Sequence, residues 1–143
     1  MTTSEHVREL FEERSNAMAA KDIERLMALY SDDVVYFDLV PPLRYSGADA
    51  LRARFLDWFG RWQGPIGQEV HDLTIAADAH VGAAHMLIRA HGTLLDHRTV
   101  DYFVRVSNAC VRSHGRWVIV HEHVSLPVDV ASGTAAMNLT PWG

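Results

Sequence analysis

Along the first third of the chain, apolar residues return at three- and four-residue steps. Val7, Leu10, Phe11 and Met18 trace one stripe, interrupted by Arg14, and Ser4 stands where an N-cap belongs. This spacing predicts a helix. Asp22 caps a second, shorter one, with Ile23, Leu26, Met27 and Tyr30 on its apolar face. The period then drops to two. Val34, Tyr36 and Asp38 alternate with Val35, Phe37 and Leu39, and β-branched and aromatic side chains dominate, as in a strand. Pro41-Pro42 ends it, because proline cannot donate to a ladder. Residues 43–46 can form a short return strand, and Gly47 a turn. Leu51, Phe55, Trp58 and Phe59 share one stripe of a third helix over 48–61. Strand-like segments follow at about 68–76, 81–92, 99–112 and 117–126, with His114-Gly115 as a tight turn before the last. Helices followed by an antiparallel meander define an α+β architecture, a sheet wrapped around its helices. No repeat or second domain interrupts it, so residues 1–143 form a single domain. The tail 127–143 is either a frayed end or a flap over an opening.

Composition supplies a core and removes several partners. Of 143 residues, 48% are hydrophobic and 22% charged, too apolar a balance for a disordered chain. The formal charge is -5 with only 13 Lys and Arg, which disfavours nucleic acid, since phosphate binding needs a clustered basic face. The opening MTTSEHVRELFEER is charged throughout and lacks the apolar run of a signal peptide. No stretch approaches membrane-spanning length. The expectation is a cytoplasmic domain with no membrane partner. Cys110, the single cysteine, excludes an internal disulfide and reads as packing.

Candidate chemistry begins at Asp38. Among the large apolar neighbours of YFDLV this carboxylate either sits in a pocket, where burial would suit it to act as a general base, or ends the strand facing water beside Pro41-Pro42. Asp32 and Asp33 read as solvated turn residues. In the segment 101–107, alternation puts Asp101, Phe103, Arg105 and Ser107 on one face, opposite Tyr102, Val104 and Val106. A buried Arg105 needs an anion, for which Glu122 is the first candidate and Asp38 the second. Strict alternation in WVIVHEHVSLP puts Trp117, Ile119, His121, His123 and Ser125 opposite Val118, Val120, Glu122 and Val124. His121 and His123 could chelate one metal, with a third ligand from His85, His91, His97 or a carboxylate. The alternative is that they hydrogen-bond locally, and no ligand motif favours the metal. Histidine is over-represented, with nine in all, and His85, Arg89 and His91 share a polar sheet face. Gly-rich phosphate loops, nucleophile elbows and zinc-protease helices are absent.

The passages AKDIERLMALYSDDVVYFD and GRWVIVHEHVSLPVD, in this order of elements, resemble the nuclear transport factor 2-like superfamily. The nearest resemblance is to its SnoaL-like and ketosteroid-isomerase-homologue branch, from about Glu5 to Pro141, tail included. It implies a cone in which a curved sheet, closed by helices, encloses an apolar cavity, and a homodimer paired through the sheet. It also implies that Asp38 occupies the position of the isomerases' base. Arg14 then stands where those enzymes carry a tyrosine, and Ser107 where they carry a protonated aspartate. The same alignment turns Glu122 towards the cavity and leaves His121 and His123 behind it.

Two functions are consistent with these residues. The first is a cofactor-independent isomerase, cyclase or dehydratase acting on a small apolar carbonyl compound. Asp38 would abstract a proton, Arg105 or Arg14 would stabilise the oxyanion, and Tyr36 and Ser107 would orient the ligand. Trp58 and Phe103 would wall the cavity, with Glu122, His121 and His123 as further contacts. The second is a dimeric module that binds a ligand or partner without chemistry.

Overall fold

The computed structural model describes residues Met1–Gly143. Three helices, α1 (Thr3–Ala19), α2 (Ile23–Met27) and α3 (Ala48–Phe59), pack on a sheet of six strands. These are β1 (Tyr30–Phe37), β2 (Tyr45–Ser46), β3 (Trp62–Ala77), β4 (Val81–Leu94), β5 (Thr99–Ser113) and β6 (Arg116–Ser125). Their spatial order is β2-β1-β6-β5-β4-β3. Neighbours run antiparallel except β1 and β6, which are parallel.

Local chemistry explains most boundaries. Thr2, not Ser4, caps α1. Its hydroxyl accepts from the Glu5 N–H at 3.2 Å, and the Glu5 carboxylate accepts from the Thr2 N–H at 2.7 Å. Asp22 caps α2 by accepting from the Arg25 N–H at 3.2 Å. Helix α3 ends at Phe59, with its apolar stripe but short of the predicted range 48–61, because Trp62 is already paired with Leu94 in the β3–β4 ladder. Asp32 and Asp33 are not turn residues. They are exposed positions of β1, where the register to β6 shifts between Tyr30 and Val35.

One irregularity in β6 changes which side chains face inward. Ala109 of β5 lies opposite His121, whereas Cys110 lies opposite Ile119, so Val120 is the extra residue of a bulge. The alternation slips by one there. Trp117 and Ile119 therefore join the core together with Val124, and Glu122 is buried, while His121 is half-buried and His123 exposed. Strict period two had kept Ile119 and Glu122 on opposite faces. Similar shifts in β3, at Gln63/Gly67 and His71/Thr74, curve the sheet around the helices. At Gly67 a Cβ would meet the His91 imidazole across the ladder, so any larger residue there requires that part-exposed ring to swing aside.

The core lies between the helices and the concave face, with Val7, Phe11, Leu26, Leu51, Ile66 and Ile119 almost fully buried. The tail forms a small hairpin, β7 (Val128–Asp129) with β8 (Thr134–Ala135). It then places Trp142 edge-on to Phe103 at 6.0 Å and to His71 at 5.8 Å. That is the outer face of the sheet, away from the helices. No helix is long and apolar enough to cross a membrane.

Candidate active site

A cavity of about 80 Å³ opens between the helices and the concave face, room for several water molecules or a small organic group. Met18, Val106 and Arg14 close its deep end, all buried. Asp38, Leu39 and Trp58 rim the mouth, where Leu39 is 40% exposed. Phe55, Ile88, Val104 and Val124 make the walls apolar.

The polar end is built on α1. Arg14 sits on the helix's buried stripe, so its guanidinium is carried into the core. Nε donates to Glu122 Oε1 at 2.9 Å and Nη2 to Oε2 at 2.7 Å, a bidentate pair with side chains 4% and 0% exposed. The Tyr30 hydroxyl bridges the two, accepting from Arg14 Nε at 3.1 Å and donating to Glu122 at 3.0 Å. Asn108 Nδ2 donates to Oε1 at 2.6 Å. Burial by itself would lower the Arg14 pKa, but the charge of Glu122 outweighs it and holds the guanidinium cationic. Burial, with the charge of Glu122 added, keeps Tyr30 and Tyr36 protonated far above their ordinary range.

One donor in this cluster is unused. Arg14 Nη1 is buried and has no partner. Nε and Nη2 are turned to Glu122, and Nη1 is closed over by packing, with almost no surface open to the cavity. Tyr36 stands beside it, its ring edge-on to Phe55 at 5.6 Å, and its hydroxyl forms no hydrogen bond within the protein. The cavity therefore offers one open donor to a ligand oxygen at its deep end, the Tyr36 hydroxyl, with the unpartnered Arg14 Nη1 sealed beneath its wall.

Asp38 follows β1 directly and is not the isolated carboxylate that its apolar neighbours imply. Arg54 Nε, from α3, donates to Oδ2 at 2.7 Å, and the Leu39 N–H donates to Oδ1 at 2.7 Å. The Asp38 side chain is 8% exposed and on the cavity wall.

The predicted residues divide between the two faces of the sheet. Asp38, Arg14, Tyr36 and Trp58 line the cavity, and Glu122 lies behind Arg14. Arg105 does not pair with Glu122 or Asp38. It projects from the outer face, exposed, and its Nε donates to Ser125 at 3.1 Å. The reason is strand parity: Tyr102, Val104 and Val106 take the inward positions of β5. Phe103 and Ser107 share the outer face, so neither touches the cavity. His121 Nδ1 bonds the Val35 carbonyl at 2.7 Å, and Phe37 packs against both His121 and His123. No group of His, Cys, Asp or Glu side chains is arranged to hold a metal ion, so the third ligand weighed for His121 and His123 does not assemble.

Sequence reasoning missed Arg54, Tyr102, Gln68, Asn108 and the polar role of Tyr30. Two of these carried a usable signal. Arg54 lies three residues after Leu51 and four before Trp58, on the edge of the α3 stripe. Asn108 continues the inward parity of Val104 and Val106.

The fold is that of the nuclear transport factor 2-like superfamily, with an internal cavity in the cone. The chain belongs to the SnoaL-like domain family, whose model matches residues 7–129. A nuclear transport factor 2-like protein of unknown function from Pseudomonas putida KT2440 is 31% identical, with 99% of each chain covered and a TM-score of 0.88. A ketosteroid isomerase-like protein from Erwinia carotovora atroseptica is similar in fold at 17% identity, with 84% of this chain and 92% of that one covered and a TM-score of 0.73. A cystatin-like-fold protein from Caulobacter vibrioides is 16% identical over 90% of this chain and 92% of its own, with a TM-score of 0.74. No protein of curated function matches the chain.

Proposed function

We propose that the protein is an enzyme that moves a proton on a small, mostly apolar carbonyl compound, using its own side chains. The observation that carries this reading is the pairing, on the wall of a mostly apolar cavity, of the Asp38 carboxylate with the free Tyr36 hydroxyl. Asp38 takes a proton from the carbon next to the carbonyl. The C–H bond breaks, its electron pair shifts towards the carbonyl, and negative charge collects on the oxygen. The Tyr36 hydroxyl donates to that oxygen, the nearby Arg14 guanidinium supports it electrostatically, and Trp58 and Phe55 hold the apolar body. Return of the proton to another carbon gives isomerisation. Attack of the enolate on a second carbonyl, whose alkoxide takes the proton back from Asp38, gives aldol-type cyclisation, and departure of a neighbouring hydroxyl as water with that proton gives dehydration. Arg14 thus takes the role that the sequence shared between Arg14 and Arg105.

Deuterium exchange next to the carbonyl, followed by proton NMR on a panel of small cyclic ketones in D2O, tests the reading. The protein is expected to catalyse exchange in at least one ketone, and Asp38→Asn to slow it about 100-fold or more. Equal exchange by the variant, or none by the unmodified protein, sinks the assignment.

A second reading, a ligand-binding module without chemistry, is favoured by the Arg54–Asp38 ion pair, which occupies the base. Binding of a ketone with no exchange would establish it. Under either reading the outer sheet face is the contact between two copies. Trp142 supports this, since it packs on Phe103 and His71 yet remains 77% exposed.

A further inference from the structure

We infer that Glu122 makes the cavity selective for uncharged ligands, by cancelling the charge of Arg14 from behind. This rests on the cavity being a ligand site and names the charge class that the site accepts.

The charges around the cavity are paired off internally. At the deep end Arg14 is matched by Glu122, whose two oxygens are taken up by Arg14, Tyr30 and Asn108. At the mouth Arg54 is matched by Asp38. The remaining polar wall groups, Tyr36, Tyr102 and Gln68, are neutral, with burial holding both phenols protonated. The cavity therefore presents a donor without presenting a net charge.

A ketone oxygen gains a hydrogen bond from the Tyr36 hydroxyl and brings no charge with it. A carboxylate gains the same bond but adds an uncompensated anion among Ile88, Val104, Val106 and Val124, with Glu122 on the far side of the guanidinium. Proton abstraction inside the cavity is exempt from that penalty. When Asp38 accepts a proton, the negative charge moves from Asp38 to the ligand oxygen and the total is unchanged. The site can thus hold an enolate formed in place while rejecting a ligand that arrives as an anion.

The relation also predicts how to invert the selectivity. Glu122→Gln leaves a buried guanidinium with no counter-ion, and an entering carboxylate then supplies one. Acetophenone and benzoate, similar in shape and different in charge, are the probes, with binding measured by calorimetry. On the unmodified protein, benzoate is expected to enter only as the neutral acid, so its affinity falls about tenfold per pH unit between pH 6 and 8. In Glu122→Gln that slope is expected to vanish and the affinity for benzoate at pH 7.5 to rise at least about tenfold relative to acetophenone. The double variant Arg14→Met/Glu122→Gln, with neither charge, is expected to restore the slope. A pH-independent affinity for benzoate on the unmodified protein overturns the inference, and this readout needs no variant to fold. So does a folded Glu122→Gln with no gain for benzoate. Absence of binding by both probes, together with absence of ketone exchange, overturns the ligand-site reading itself and this inference with it. Tight benzoate binding alongside ketone exchange overturns only the inference.

Discussion

Removing both members of the Arg14–Glu122 pair is expected to destabilise the fold less than the sum of removing each alone. Arg14→Met leaves a fully buried carboxylate that still accepts from Tyr30 and Asn108. Two donors remain, so the cost falls at the lower end of the range for a broken buried pair, about 3 kcal/mol. Glu122→Leu is worse. The guanidinium keeps only the Tyr30 oxygen at 3.1 Å, and Asn108 Nδ2 loses its acceptor as well. That places the loss near about 5 kcal/mol. The double variant Arg14→Met/Glu122→Leu carries no buried charge, and what remains is an unsatisfied Tyr30 hydroxyl and Asn108 amide, at about 1–3 kcal/mol each. Added together, the single losses therefore exceed the double by about 2 kcal/mol or more, a coupling that only direct partners show. Urea unfolding followed by tryptophan fluorescence and by circular dichroism measures all three. Losses below about 1 kcal/mol for each single variant, adding without coupling, would place the pair among solvated surface bridges and refute the reasoning.

Two other expectations concern opposite sides of the sheet. Trp142→Ala should weaken self-association about 30-fold, as loss of an interface aromatic worth about 2 kcal/mol does. Sedimentation equilibrium measures this, and a dimer unaffected by the change would remove the tail from the interface. Cys110 is buried, and burial pushes its thiol up to about 11. Ellman's reagent at pH 8 should therefore react only as fast as the protein opens. Immediate reaction in the folded state would mean that the inner end of the β4–β5 ladder is open to solvent.

Much of this protein was written locally. Steps of three and four along Val7, Leu10, Phe11 and Met18, and of two along Val34 and Tyr36, produced α1 and β1 because side-chain direction repeats with backbone period. The inward set Tyr102, Val104 and Val106 followed from the same parity, as did the position of Asp38 on the cavity wall. Parity failed in β6. An extra residue at Val120 slips the alternation, and a bulge is set by the partner strand, which the sequence of β6 does not contain. Ion pairing lay equally beyond local pattern. Glu122 takes Arg14 from 108 residues away, while Arg105, closer in sequence and of the same charge, is turned to solvent. Asp38 takes Arg54, which only the docking of α3 brings within reach. Period and propensity depend on neighbours in the chain, so the sequence carried the elements and the faces of the regular ones. Which buried charge meets which depends on how helices and sheet close around a common core, and that was decided in three dimensions.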